Sequence, residues 1–166
     1  MAFDRAADDR FGQAVAVYGD TMAVGAYLDD NDNGSDGGSV YLFRSTNAGG
    51  SLGFQAKLTI DDGLSTDFFG TSVVFLNRDT LAVGAQGVFD DNGEQAGAVY
   101  TFQQSVTSNG WTQQAKIEAP DGARNDFFGE RVKFQDPIFH PFTSKLNFRE
   151  FENLRIVYYK IIKPRG

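Results

Sequence analysis

Apolar and polar positions alternate along the chain in short segments rich in β-branched, aromatic and small residues, each bounded by Gly, Asp or Asn. Runs of this length and composition between turn residues predict strands rather than helices. The first four are QAVAVY at 13–18, TMAVGA at 21–26, SVYLF at 39–43 and FQAKLTI at 54–60. A second four follow in the same order: TSVVFL at 71–76, TLAVGA at 80–85, AVYTF at 98–102 and TQQAKI at 112–117. Gly19 and Asp20 form a two-residue hairpin turn, and Asn77, Arg78 and Asp79 a longer one. Gly25 and Ala26, repeated as Gly84 and Ala85, are small residues inside a strand, which predicts close approach of neighbouring backbones around a central axis.

The two sets are copies of one unit. DRFGQAV at 9 recurs as DFFGTSV at 67 and DFFGERV at 126, DTMAVGA at 20 as DTLAVGA at 79, and GSVYLF at 38 as GAVYTF at 97. Gly12, Gly70 and Gly129 hold that register, and self-similarity at a fixed long period is the signature of repeat architectures. The expected fold is all-β: tandem four-stranded antiparallel blades of a β-propeller, incomplete, with about two blades plus one strand. The units run 9–66, 67–125 and 126–135 (an opening strand), followed by a non-repeat basic tail at 136–166.

The repeat resembles the FG-GAP repeat of integrin α-subunit propellers and their bacterial and eukaryotic relatives. Phe11-Gly12, Phe69-Gly70 and Phe128-Gly129 match the FG element, and Val24–Ala26 and Val83–Ala85 match the GAP element without its proline. The resemblance covers about three quarters of the chain and implies an extracellular or cell-surface setting, although MAFDRAADDR has neither the basic start nor the apolar run of a signal peptide. Calcium-binding repeats of that family hold the ion between the FG and GAP strands. Here that connection is only a tight turn, too short for a cation that takes 6–8 oxygens, so that site is not carried over. A propeller closes with about 4 to 8 blades, which makes further FG-GAP blades, in cis or in trans, expected partners.

Composition excludes several chemistries. Cysteine is absent, so there is no disulfide framework, thiol nucleophile or cysteine-ligated zinc, and no apolar run is long enough to span a bilayer. Residues 1–135 carry 9 Lys and Arg against 19 Asp and Glu, whereas 136–166 carry 6 against 3. An acidic body repels phosphate backbones, so nucleic acid is not an expected partner; cations and basic ligands are.

In a meander, the loop after strand two and the loop leading to the next blade lie at the same end. Those loops hold 15 of the 19 acids: Asp4, Asp8, Asp9, Asp29, Asp30, Asp32, Asp36, Asp61, Asp62, Asp67, Asp90, Asp91, Glu94, Asp121 and Asp126. In integrin-like propellers this end is the ligand face. The plainer reading is that these residues keep the surface soluble and supply turns.

The sharpest metal candidate is DDNDNGSD at 29–36, where Asp29, Asn31, Asn33 and Gly34 match the front of a DxNxNG calcium loop and Asp32 and Asp36 add carboxylates. The closing Glu is missing, since Val40 stands there, and the companion loop keeps only Asp90, Asn92 and Gly93. Asn33-Gly34-Ser35 also spells an N-glycosylation acceptor. The aromatics Phe11, Phe68, Phe69, Phe127 and Phe128 recur at repeat register, as blade-packing residues do.

No nucleophile and base pair appears, because the single histidine, His140, lies outside the repeats, and the paired Asp61 and Asp62 belong to a recurring turn. The expected function is therefore non-catalytic: a recognition or adhesion module whose acidic loops meet a protein, glycan or cation. No cofactor is required and calcium is the candidate ion. The alternatives are a structural propeller piece without its own ligand, or accessory repeats beside a glycan-acting enzyme. In the tail, LRIVYYKII reads as a capping strand, a short basic helix, or sequence past the true frame. The last two are favoured because nothing there resembles a blade strand pair.

Overall fold

The computed structural model describes residues 6, 8–45, 51–108, 110–134, 148–151 and 154–158. Among the described residues every regular element is a strand. The first blade is a four-stranded antiparallel meander of β1 (Ala14–Tyr18), β2 (Thr21–Ala26), β3 (Ser39–Ser45) and β4 (Leu52–Leu58). The second repeats it with β5 (Phe69–Asn77), β6 (Thr80–Ala85), β7 (Ala98–Gln104) and β8 (Trp111–Glu118). The predicted bounds of β2 and β6 are those observed, while β3 and β7 run further and β4 starts earlier. The turn expected at Asn77, Arg78 and Asp79 is shorter than that. Asn77 pairs with Thr80 and the additional residue is absorbed as a bulge between Phe75 and Asn77, because a two-residue turn matches strand twist better than a three-residue one.

Period-2 alternation gives each blade two apolar faces. Ala23, Val40 and Leu42 of the first blade lie on one, and together with Leu58 and Ile60 they share a single core with Phe69, Phe75, Leu81, Val83, Tyr100 and Phe102 of the second. The opposite face of the second blade, with Ala82 and Val99, receives Phe128 and Val132 of the next repeat. Each such side chain taken out of water contributes about 1.5–3 kcal/mol, so the cores that hold the fold lie between blades.

The backbones also meet there. A side chain on Gly25 would enter the carbonyl oxygen of Gly70, and one on Gly84 that of Gly129. The predicted close approach is thus made by the GAP glycine of one blade and the FG glycine of the next. Beside it, Phe69 N–H donates to Gly37 O (3.1 Å) and Phe128 N–H to Ala96 O (2.7 Å), forming parallel bridges at Gly38 and Gly97.

The turn that delivers the FG strand has one conformation, used three times. Positive φ occurs at Asp8, Thr66 and Asn125 (72, 66 and 63°), at Arg10, Phe68 and Phe127 (57, 55 and 52°), and at Gly12, Gly70 and Gly129 (95, 92 and 88°). Left-handed backbone is uncommon for any residue but glycine and a genuine outlier for β-branched Thr, so neighbouring bonds must impose it. In all three copies the Asp of the turn accepts from the amide three residues earlier, and in the second copy Thr66 N–H also donates to Ser35 O and Phe68 N–H to Asp36 O across the blade seam.

Beyond the second blade, β9 (Val132–Phe134) is the opening strand of a third sheet, with β10 (Phe148–Phe151) and β11 (Leu154–Tyr158) in the order β10-β11-β9. Over its described residues, 154–158, LRIVYYKII forms a strand rather than the short helix. β11 pairs antiparallel with β9 through Ile156 and Phe134, Val157 and Lys133, and Tyr158 and Val132. An unpaired strand edge is a template for β-prone sequence whether or not that sequence carries the repeat motif.

Candidate recognition face

The loops at 27–38 and 59–68 meet at one end of the first blade, as the meander geometry predicts. Asn33 Nδ2 donates to Ile60 O at 2.9 Å, and Thr66 N–H donates to Ser35 O at 2.9 Å. The equivalent loops of the second blade are joined by Asn125 N–H donating to Gln95 O at 2.9 Å. Asp32, Asp61, Asp62, Asp91, Glu94 and Asp121 are exposed on these loops.

Other carboxylates of the same loops serve the fold. Asp9, Asp67 and Asp126 each accept from the backbone amide three residues earlier, those of Ala6, Leu64 and Ala123, at 2.6, 2.7 and 2.9 Å. Asp30 Oδ1 accepts from Asp36 N–H and the Ser35 hydroxyl, and Asp90 Oδ1 from the amides of Asn92 and Glu94, both at 2.9 Å. The Glu94 and Asn92 amides hold the Asp90 carboxyl below the usual range. Asp4 lies outside the described residues.

Asp29 is the most deeply committed. It is 2% exposed, and its two oxygens accept from Ser39 Oγ at 2.6 Å and Tyr41 Oη at 2.9 Å. Lys57 Nζ lies 2.9 Å from Oδ2 and 5.1 Å from the Tyr41 ring centroid, a cation–π arrangement. A buried carboxylate persists only when paired and hydrogen-bonded in this way. In the second blade the corresponding positions are Val88 and Ala98, and Lys116 turns to Glu118 at 2.8 Å and Asp62 at 3.9 Å. Charge counting passed over Ser39, Tyr41 and Lys57. The signal was the paired change from Asp29 and Ser39 to Val88 and Ala98 between the units.

The DDNDNGSD residues do not converge. Asp29 points into the hub, Asn31 Oδ1 caps Asn33 N–H at 2.8 Å while its Nδ2 donates to Gly38 O at 2.7 Å, Asp32 is exposed, and the Asp36 amide is tied to Asp30. Among the described residues no three of His, Cys, Asp and Glu come together as a metal would require. Asn33 Nδ2, the atom a glycan would occupy, is the one bonded to Ile60 O.

Of the recurring aromatics, Phe69 and Phe128 are buried, Phe68 packs edge-on to Tyr27 at 6.1 Å, and Phe11 and Phe127 are exposed. His140 lies outside the described residues. An open cleft of about 270 Å³ is lined by Asp90, Asp91, Asn92 and the Lys116–Pro120 segment.

A family model described as FG-GAP repeat matches residues 1–43, 52–102 and 111–136. The chain belongs to the FG-GAP repeat family. No curated protein matches it. Together with the two four-stranded sheets, FG-GAP membership makes the chain a propeller-type binding or structural module. Phe69 and Phe128 enter apolar cores, Gly70 and Gly129 pass under the preceding GAP glycines Gly25 and Gly84, and Ala26 and Ala85 of the GAP element are buried. Among the described residues no helix is long and apolar enough to cross a membrane.

The carboxylates built into FG-GAP turns have a testable pH signature. Burial raises the Asp67 carboxyl above its ordinary 3.8, against the opposing pull of the Leu64 amide. Folding therefore favours the protonated acid. Its contribution is full below the unfolded value and is lost as pH rises through the folded one. Asp67→Asn, whose Oδ1 still accepts from Leu64, is expected to match or exceed the parent in stability at pH 7. That advantage should close as pH falls toward 4, in urea unfolding series run across that range.

Proposed function

We propose that this FG-GAP chain is part of a non-catalytic recognition module whose loop end meets a basic protein, a glycan or a cation. The observation that carries the reading is the exposed set Asp32, Asp61, Asp62, Asp91, Glu94 and Asp121, gathered at one end by hydrogen-bonded loops. The other end contrasts with it: Asp20 is paired with Arg44 at 3.0 Å, which holds the Asp20 carboxyl below its usual range, and Asp79 follows Arg78. A one-ended negative potential steers basic ligands to one face. The reading needs no cofactor and no turnover, calcium enters as a bridging ion, and the setting at or outside the cell surface rests on the family.

A second reading, a structural propeller piece whose acids are turn residues, is favoured by the loop hydrogen bonds of Asp9, Asp29, Asp30, Asp67, Asp90 and Asp126. One comparison separates the two. Neutralising Asp61 and Asp91 is expected to weaken binding of an oligolysine peptide about tenfold or more at low salt, whereas neutralising Asp20 and Asp79, on the hairpins of the other end, leaves it within about threefold. Equal losses from both sets would leave only diffuse charge attraction and favour the structural reading. Calcium titration of the same proteins tests the cation arm. Asp29 is left intact, because its loss would act through the fold.

A further inference from the structure

Asp32-Asn33-Gly34 of the first blade recurs at the same repeat position as Asp91-Asn92-Gly93 in the second, and the two triplets lie in opposite surroundings. The glycine amide is bonded alike in both turns, Gly34 N–H to Asn31 O and Gly93 N–H to Asp90 O, each at 2.9 Å. The asparagine side chains differ. Asn33 is half-buried and its Nδ2 donates across the loop end to Ile60 O at 2.9 Å. A side chain on Gly34 would run into the hydroxyl of Ser65, so the glycine is packed as well. Asn92 is exposed, and its Nδ2 turns back to Asp90 Oδ2 at 3.5 Å, too long for a strong hydrogen bond. Nothing lies within 4 Å of the place a Gly93 side chain would take. Ala119, the counterpart of Ile60, lines the same open cleft as Asn92.

An asparagine followed by glycine can be attacked by its own chain, because glycine has no Cβ to keep its nitrogen away from the side-chain amide. Gly93 N bonds to Asn92 Cγ, the Cγ–Nδ2 bond breaks, and Nδ2 leaves as ammonia with the proton that Gly93 N gives up. Water then opens the five-membered imide at either carbonyl, leaving a carboxylate on aspartate or on its β-linked isomer. One water enters, one ammonia leaves, and no other reactant is consumed. The side chain must swing toward the following nitrogen, so a site held by its neighbours reacts only when the loop opens. For Asn33 that means giving up Ile60 O and the packing on Ser65, and the product would set a carboxylate against that carbonyl. Neither restraint acts on Asn92, and the cleft beside it admits water. Carboxylates surround both triplets, Asp30, Asp32 and Asp36 in one loop and Asp90, Asp91 and Glu94 in the other, so charge does not distinguish them.

We propose that Asn92 is a site of self-catalysed modification, converting in the folded chain to aspartate and its β-linked isomer, while the same triplet in the first blade is preserved as a loop clamp. The change adds a negative charge to the exposed loop beside Asp91 and leaves the contact between Asn33 and Ile60 in place. One blade thus alters its surface with age and the other does not. The inference is independent of what the acidic loops bind.

Incubation of the full chain at neutral pH and physiological temperature, followed by peptide mapping with mass spectrometry, tests it residue by residue. Circular dichroism confirms that the incubated chain is folded. In the folded chain Asn92 should convert about tenfold or more faster than Asn33, the margin that an opening equilibrium imposes on a protected site. In urea the two rates should converge, because the triplets are identical and the loop contacts are gone. Equal rates in the folded chain, conversion of Asn33 ahead of Asn92, or an intact Asn92 under conditions where the unfolded chain converts at both positions would each overturn the proposal. So would a difference that persists unchanged in urea, since it would trace to the flanking sequence rather than to the fold.

Discussion

Gly25→Ala is expected to destabilise the chain by about 3 kcal/mol or more, at the upper end of what overpacking produces. The added methyl would collide with the carbonyl of Gly70, whose carbon lies only 3.1 Å from the ideal Cβ position, with the Ala14 Cβ at 3.3 Å behind it. The obstacle is backbone, so no rotamer change relieves it, and the seam between blades must open. Gly84→Ala meets Gly129 in the same way, with its carbonyl carbon at 2.8 Å. Gly93→Ala is the control: nothing lies within 4 Å, but φ is +76°, so only the left-handed penalty of about 1–2 kcal/mol applies. Urea unfolding followed by the fluorescence of the single tryptophan, Trp111, checks all three. A Gly25→Ala protein as stable as Gly93→Ala would remove the seam from the account of stability.

Asp29→Ala is the second large effect, a loss of about 3–5 kcal/mol. Truncation strands the hydroxyls of Ser39 and Tyr41 and takes from Lys57 its buried carboxylate, and unmet polar groups in an interior carry their full desolvation penalty. The second blade supplies the remedy in its own sequence. Asp29→Val/Ser39→Ala places Val and Ala where Val88 and Ala98 stand, and Lys57, whose side chain is 23% exposed, extends its ammonium to water. This double variant is expected to be more stable than Asp29→Ala although it removes an additional polar group. The same unfolding series measures the difference. Equal stability would mean that the cluster is not a coupled unit.

How far these features were legible depends on what repeats. β2 and β6 were readable to the residue because Gly19-Asp20 and Asp79 fix their starts and the small GAP pair fixes their ends. The start of β5 was not, because the FG turn relies on positive φ at Thr66 and Phe68, residue types that give no sign of it. The tail strand was one of three readings and not a favoured one, since its place in the sheet comes from the edge of β9 rather than from its own motif. On the loop face, composition located the acids correctly at one end. It could not separate Asp29, engaged by Ser39, Tyr41 and Lys57, from Asp61 and Asp91, which face solvent, because that difference lies in contacts between distant positions.

The family match breaks between β3 and β4 and again between β7 and β8, so the matched segments are out of phase with the sheets. The segment 52–102 carries the last strand of one blade, the whole seam loop with its FG turn, and the first three strands of the next. Exchange at those two hairpins would carry the FG turn with Gly70 but leave behind Gly25 and the acceptors Ser35, Asp36 and Gly37, and each severed sheet would be re-formed by its new neighbours' strands. Any segment put in place of 52–102 would have to present its own FG glycine to Gly25, so the contact of Gly25 with Gly70 is the constraint that such an exchange must satisfy.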